Sequence, residues 1–256
     1  PSIDKVKDYL ISLKGFNEFF GDLLVERRAN PTEDIISDVA TAEVNDEELN
    51  DAEMLSMLQQ FLVAGNETTT KLLTNLIHRL AVDSELEDRL RSNPDLIDNF
   101  IEEGLRYEAP VGGLFRMAKE DTKVNNVEIK SGDHLWVIYA AANRDPEIFD
   151  DPDDFLVDRE NAREHLAFGH GEHYCIGALL ARKEARIAIQ LLLANIKNVQ
   201  LVDDKNKYEY EESFVLRGLK ELHVSYDLSL IHISEPTRRP PIAYAGVCVK
   251  KKWGGG

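Results

Sequence analysis

No run of apolar residues in this chain approaches the ~20 needed to span a bilayer. The longest, Leu135 to Ala142, has the length of a strand or a piece of core. Cysteine is nearly absent, with 2 residues in 256, Cys175 and Cys248. Together with the lack of a secretory segment at the start, this fits a reducing cytosol, and a cytoplasmic protein is expected. Positive charge is short as well. Lys and Arg number 30 against 47 Asp and Glu, a net of -17. Such a surface repels DNA, RNA and anionic membranes, so neither nucleic acid nor a membrane is expected as a partner. No internal repeat is present. What remains is an ordinary soluble balance, 43% hydrophobic and 30% charged, with chain enough for one large domain or two small ones.

Two regions stand apart. The amphipathic pattern Val6, Leu10, Leu13, Phe16, Phe20 begins almost at the first residue, as if cut from a longer chain. At the other end, Leu228 to Arg238 reads LSLIHISEPTR and resembles the translation of a sequencing-library adapter. The composition after it is unlike what precedes. Residues 228–256 are therefore read as a non-native tail outside the fold. The tail holds Arg238, Arg239, Lys250, Lys251 and Lys252 against Glu235, so the rest is still more acidic, and Cys175 is its sole cysteine.

Hydrophobic periodicity predicts a mainly α chain with a minor β-sheet over residues 1–227. Residues 1–30 read as one helix stopped at Asn30-Pro31, and Pro31 to Val39 as a second helical segment. From about Asn50 to Ala81, Met54, Leu55, Leu58, Phe61, Leu62, Leu72, Leu73, Leu76, Ile77 and Leu80 support one long helix. At 1.5 Å per residue it would run ~48 Å, enough to cross a domain. Helices over Asp83 to Arg91 and from Asn93-Pro94 through Leu105 follow, ended by Pro110 and Gly112-Gly113. Phe115 to Lys119, Lys123 to Ile129 and His134 to Tyr139 read as short strands, with turns at Asn125-Asn126 and Ser131-Gly132-Asp133. A proline-punctuated loop (Asp145-Pro146, Asp151-Pro152) leads to a glycine-rich stretch and a helix from Ala178 to Ile196. Phe214-Val215-Leu216 and Leu222-His223-Val224 are strand-like.

The glycine-rich stretch is Phe168-Gly169-His170-Gly171-Glu172-His173-Tyr174-Cys175-Ile176-Gly177. A lone cysteine is most often a small buried hydrophobe. Here three glycines let the backbone approach a flat ligand and take positive φ. A helix starts just after, and its N-terminal end, with partial positive charge, favours negative charge on the sulfur beside it. Zinc is the alternative, through His170, His173 and Cys175, but no second ligand pair at zinc spacing lies nearby. A single thiolate fits a planar cofactor that brings its other four ligands.

The stretch resembles the haem-binding signature of the cytochrome P-450 family, F-x-x-G-x-H-x-C-x-G, at every fixed position. That family ligates haem iron with a cysteine thiolate. The resemblance implies haem b (iron protoporphyrin IX) with Cys175 as axial metal ligand. His173 would donate to a propionate and Phe168 would pack near the sulfur, with Gly169 and Gly177 in the same loop.

Ala64-Gly65-Asn66-Glu67-Thr68-Thr69 lies midway along the long helix, where glycine and β-branched residues weaken a helix interior. Such a local conflict marks a functional site, and Thr68 can bond back to the Ala64 carbonyl and bend the helix. An exposed polar patch is the bland alternative. The segment is similar to the family's A-G-x-[DE]-T. By that resemblance Thr68 orients water near dioxygen, Glu67 relays protons, and Ala64 lets the helix pass close over the haem.

Glu103 and Arg106 sit three apart on a helix, a spacing any surface pair can show. In order and distance they match the family's E-x-x-R, whose partner arginine would be Arg144 or Arg159. Asn143-Arg144-Asp145-Pro146 with Phe149, Pro152 and Phe155 resembles the segment before the haem loop. Arg116 matches an arginine that pairs with a propionate. The resemblance also places Phe61, Ala64, Val111 to Phe115 (Leu114 among them), Phe214 and Val215 around a substrate pocket.

The expectation is a cytochrome P-450 fold with its N-terminal portion missing. The parent protein would be a monooxygenase that inserts one oxygen atom of O2 into a small apolar molecule. Its electrons would come from a ferredoxin and an NAD(P)H-dependent ferredoxin reductase. A haem-binding sensor without oxygen chemistry is the competing class; a proton relay at Glu67 and Thr68 argues against it. A zinc protein would contain no iron.

Overall fold

The computed structural model describes residues 3–44, 47–229 and 247–251. Two compact units, residues 1–66 and 67–256, are joined by one uninterrupted helix.

The first unit begins with α1 (Ile3–Ala29) and α2 (Ile35–Ala40). The predicted stop at Asn30-Pro31 ends α1, and the first two residues of that predicted helix lie outside the described residues. Asp34 caps α2, accepting from the Ser37 N–H at 2.8 Å, while Arg27 Nε donates to its other oxygen at 2.8 Å. The hydrogen bond from Arg27, then that from Ser37, holds the Asp34 carboxyl well below the usual carboxylate range. After a two-residue ladder of β1 (Glu43–Val44) on β2 (Glu47–Glu48), a capping box opens α3 (Asp51–Val82). The Asn50 side chain accepts from Glu53 N–H (3.1 Å), and Glu53 accepts from Asn50 N–H (2.9 Å). Leu24, Val39, Ala40, Met54 and Leu58 form the core of this unit.

The second unit contains the rest of α3, then α4 (Ser84–Ser92) and α5 (Leu96–Tyr107). Asp83, accepting from Leu86 N–H at 3.0 Å, caps α4. β3 (Leu114–Met117) pairs antiparallel with β6 (His134–Val137), and β4 (Thr122–Val124) with β5 (Val127–Ile129). The predicted strand over Lys123 to Ile129 is thus a hairpin. Its turn residues Asn125 and Asn126 take φ of 43° and 68°, which asparagine tolerates better than most residues. The strand predicted to reach Tyr139 ends at Val137, because Tyr139 opens the short α6 (Tyr139–Ala142).

After the cysteine loop comes α7 (Ala178–Asn195), then β7 (Ile196–Leu201). β7 is antiparallel to β8 (Leu222–Leu228), and β8 pairs in parallel with β9 (Val247–Lys251). Most of the tail read as non-native lies outside the described residues. Phe214-Val215-Leu216 is not a strand. The Ser213 hydroxyl accepts from the N–H groups of Val215 (3.2 Å) and Leu216 (3.0 Å), folding the segment into a turn. Only Leu216 bridges to Val111.

Leu72, Leu76 and Leu80 of α3, Phe100, Ile101 and Leu105 of α5 and Ala185, Ile189 and Leu193 of α7 share one core. Each fully buried leucine or phenylalanine contributes roughly 1.5–3 kcal/mol. Gly104 sets the closeness of α3 and α5: a Cβ there would lie 2.4 Å from Leu76 Cδ2.

Candidate functional site

The apolar face of α5 carries charge into the core. Glu102, Glu103 and Arg106 are 2%, 0% and 1% exposed, and buried charges persist only when paired and hydrogen-bonded. Arg106 grips Glu103 in a fork, Nε to Oε2 and Nη2 to Oε1, both at 2.7 Å. Arg159 closes on the same carboxylate, its Nε 3.1 and 3.2 Å from the two oxygens. Remaining donors are absorbed by backbone carbonyls: Asn143, Pro152 and Asp154 for Arg106, and Asp150, Asp151 and Asp154 for Arg159. Of the two candidate arginines, Arg159 therefore joins the pair. Arg144 instead meets Asp153 at 2.7 Å and the Tyr107 carbonyl at 3.0 Å.

This lock reaches the cysteine loop through Asn143, which is fully buried. Its carbonyl takes Arg106 Nη1 at 3.0 Å, and its side-chain oxygen takes the Leu166 N–H at 2.6 Å. Gly169 N–H in turn donates to the Leu166 carbonyl at 2.9 Å. The proline-punctuated loop and the approach to Cys175 are thus fixed from one point on α5.

The loop itself is turned by glycine where turning demands it. Gly169 and Gly171 both have φ of +73°, a region costly for residues with a Cβ. Gly177 does not share that role: its φ is -83°, and it serves as the N-cap residue of α7. His173 ends a 3-10 turn over Gly171–His173 and is exposed. Cys175 is a free, exposed thiol. Its N–H donates to the Phe168 carbonyl at 2.9 Å and its carbonyl takes the Ala178 N–H at 3.2 Å. The cysteine is held two residues before the N-cap of α7, where the helix dipole favours negative charge.

A second buried carboxylate was not singled out from the sequence. Glu102 accepts from Arg182 of α7 (Nε 2.7 Å, Nη2 3.0 Å) and meets His165 Nε2 at 3.1 Å. The Ala167 N–H donates to His165 Nδ1 at 3.1 Å, so the ring proton sits on Nε2, facing Glu102. Burial pushes the Glu102 carboxyl up, but hydrogen bonds from His165 and Arg182 outweigh it and hold the group at about 2. The only trace in the sequence was an adjacent acidic pair inside an apolar helix; its partners lie 63 and 80 residues away.

Other predicted residues fall as follows. Arg116 lies on β3 opposite Leu135, with its guanidinium on the Phe115 carbonyl at 2.9 Å. Glu67 and Thr68 are half-buried on α3, which stays regularly α-helical from Ala64 to Thr69. Ala64 is exposed and Phe61 packs on the core of the first unit. Val111, Leu114, Phe214 and Val215 belong to two segments held side by side, for Gly112 N–H donates to the Val215 carbonyl and Arg217 N–H to that of Pro110, both at 2.8 Å.

The residues present fit a haem. Around Cys175, Ile176, Leu179 and Leu180 are 87%, 82% and 59% exposed, and Tyr174 is 50% exposed. So much apolar surface beside one thiol calls for a covering apolar group. The two left-handed glycines let backbone lie against a flat ring. Zinc finds no such support: among the described residues no group of three or more His, Cys, Asp or Glu is placed to hold a metal ion. Nor, among them, is any helix long and apolar enough to cross a membrane.

Known proteins agree with this geometry. The family model for cytochrome P-450 matches residues 7–223. A cytochrome P-450 of Bacillus subtilis strain 168 is 40% identical over 212 residues, 82% of this chain and 52% of that protein. Cytochrome P-450 107B1 of Saccharopolyspora erythraea is 38% identical, covering 81% of this chain and 51% of its own length. The chain thus spans about half the length of the curated relatives it matches. Among solved structures, substrate-free CYP150A6 of Mycobacterium marinum superposes with a TM-score of 0.82 at 35% identity, over 89% of this chain and 59% of that one. CYP109E1 of Bacillus megaterium in complex with corticosterone gives 0.80 at 35%, over 87% and 60%. With the match running from α1 to β8 and through the cysteine loop, the chain belongs to the cytochrome P-450 family, whose cofactor is haem b.

Proposed function

We propose that the parent of this chain is a haem-thiolate monooxygenase that inserts one atom of O2 into a small apolar substrate, the other leaving as water with two electrons and two protons. The observation that carries this reading is the exposed Cys175 thiol on its glycine-turned loop, flanked by the uncovered Ile176, Leu179 and Leu180. Haem b, when bound, supplies the iron at which dioxygen is activated. Cys175 would hold that iron through its sulfur, His173 and Arg116 would offer donors to the propionates, and Phe168 would pack beside the sulfur. Thr68 Oγ1 orients a water, and the Glu67 carboxylate passes protons inward from solvent. The exposed Phe214 with Val111, Leu114 and Val215 offers an apolar wall for substrate. An apolar substrate agrees with the corticosterone held by CYP109E1.

Electrons reach the site from a ferredoxin, itself reduced by an NAD(P)H-dependent reductase. A surface hollow of about 220 Å3 is lined by Arg163, Arg182, Lys183 and Arg186 together with Asp98 and Glu102, which pair with Arg186, Arg182 and Arg163. Activity belongs to the intact parent in the cytoplasm; residues 1–227 are part of its haem domain and residues 228–256 are foreign to it.

The test is the absorption spectrum of the dithionite-reduced protein under carbon monoxide, with haem supplied during expression. A strongly red-shifted Soret band, abolished by Cys175→Ala, is the expected result. An imidazole-type band in the protein expressed from an intact gene overturns the reading.

A further inference from the structure

Two consecutive glutamates on α5 serve different masters. Glu103 holds the proline-punctuated loop through Arg106 and Arg159. Glu102 holds nothing there. Its hydrogen-bond partners are His165, ten residues before Cys175, and Arg182, seven after it, with the exposed Arg163 further off at 3.8 Å. Both partners then touch the loop. The Arg182 guanidinium lies 4.5 Å over the Phe168 ring, and its Nη1 donates to Tyr174 Oη at 3.3 Å. His165 lies 5.8 Å from the Phe168 ring and accepts from the Ala167 N–H. Phe168 is the residue whose carbonyl holds the Cys175 N–H, and Tyr174 is the residue just before it.

We propose that Glu102 is a positioning residue for Cys175: through His165 and Arg182 it clamps Phe168 and Tyr174, and so fixes the backbone that carries the thiol. Burial alone does not ask for this arrangement. An apolar side chain at 102 would fill the same space between α5 and α7 without a desolvated charge. What the carboxylate adds is direction. It fixes one guanidinium plane over one ring and one imidazole edge against the residue before that ring. Released from Glu102, Arg182 turns to solvent, for it is already a quarter exposed, and Phe168 loses its stacking partner. The loop then opens more often without the domain unfolding, as local segments do when their closing contacts are weakened.

This inference rests on Cys175 being the thiolate ligand, but its test does not need that to be true. The full chain is prepared with Cys248→Ala, so that Cys175 is the sole thiol, and with Glu102→Gln, Arg182→Gln or both added. Alkylation of Cys175 by iodoacetamide is timed under native conditions, and each protein's urea midpoint is measured beside it. Glu102→Gln is expected to raise the alkylation rate roughly tenfold, the factor that ~1.4 kcal/mol of lost loop closure gives. Arg182→Gln also leaves the buried Glu102 charge without its guanidinium, and Glu102→Gln weakens the hydrogen bonds to His165 and Arg182, so some loss of midpoint accompanies each. The double variant removes both charges and recovers midpoint. Its alkylation rate stays high if Glu102 positions the loop, and returns to the parent value if Glu102 only supports the fold. That return, or unchanged rates in the single variants, overturns the proposal. The carbon monoxide spectrum of the haem-loaded proteins is the second readout: the red-shifted fraction falls in the variants while the parent keeps it. If the unsubstituted chain lacks the band, the haem-thiolate reading is decided on the protein expressed from an intact gene, and the alkylation rates still decide the role of Glu102.

Discussion

Arg159 places its Nε within 3.2 Å of both oxygens of Glu103, a carboxylate that Arg106 already holds in a fork. Three charged groups with net positive charge are thereby packed into a core where none is more than 6% exposed. Backbone carbonyls rather than a second carboxylate balance the excess.

Removing the shared carboxylate is therefore worse than removing either arginine. Glu103→Ala leaves two guanidiniums facing each other without a counter-charge, and a loss of about 3–5 kcal/mol is expected. Arg159→Lys retains charge but loses the donors that hold Asp150, Asp151 and Asp154, so a smaller loss is expected. Arg144→Lys, at a half-buried position outside the lock, changes stability by less than about 1 kcal/mol. Urea denaturation of the three variants ranks them; a Glu103→Ala midpoint no lower than that of Arg144→Lys would refute the lock.

How much of this was legible in the sequence depended on whether the cause was local. The long helix, the helix start after the cysteine loop and the Glu103–Arg106 pair are carried by neighbouring residues and are legible in the sequence. β7 was missed because its alternation is broken: a bulge falls between Lys197 and Gln200, with Asn198 at φ 54°, so the apolar residues Ile196, Val199 and Leu201 do not keep a period of two. Phe214 to Leu216 has the alternation of a strand, yet the Ser213 hydroxyl captures the N–H groups a ladder would need. The choice between Arg144 and Arg159 had no local answer, since it turns on which side of the Pro152 loop faces α5. Glu102 was hidden for the same reason.

Acid should expose the Glu102 contribution. Its folded-state value of about 2 lies below the ordinary 4.5, so ionised Glu102 stabilises the fold above pH ~4.5 and the gain is lost as pH falls towards ~2. A group so deeply buried and so shifted contributes on the order of 3 kcal/mol. Glu102→Gln resembles the protonated acid. Its stability deficit against the parent, measured by urea denaturation from pH 7 down to pH 3, should be largest at neutral pH and shrink steadily below pH ~4.5. A deficit independent of pH would mean that the charge on Glu102 does not stabilise the fold.

The tail offers a cleaner subtraction. The family match ends at residue 223, within β8 (Leu222–Leu228), and the library-adapter resemblance begins at Leu228. A chain ending at Ser229 keeps β8 whole and its antiparallel pairing with β7, and among the described residues loses the parallel partner β9. If residues beyond 229 are foreign, their removal should shift the thermal midpoint by less than about 2 °C, under ~1 kcal/mol for a chain of this size. A drop of more than ~4 °C would give β9 a part in the fold.

Under the proposed monooxygenase reading Thr68 and Glu67 divide one task, and their variants should separate accordingly. In the intact parent with its electron carriers, Thr68→Val keeps the shape of the side chain and removes the hydroxyl that orients water. Glu67→Gln keeps the shape and removes the proton acceptor. Loss of a positioned proton donor or acceptor costs about 10²–10⁴-fold in rate. Both variants should therefore lower product formation at least ~100-fold, with substrate affinity unchanged because neither removes apolar contact area. The profiles then differ. Reduced nicotinamide is still consumed by Thr68→Val, its electrons ending in reduced oxygen rather than product, whereas Glu67→Gln slows consumption and product formation together. Slowed proton delivery in Glu67→Gln should also show a larger solvent deuterium effect than in the parent. Full product yield per nicotinamide in Thr68→Val would remove Thr68 from the oxygen chemistry and leave it as a helix residue.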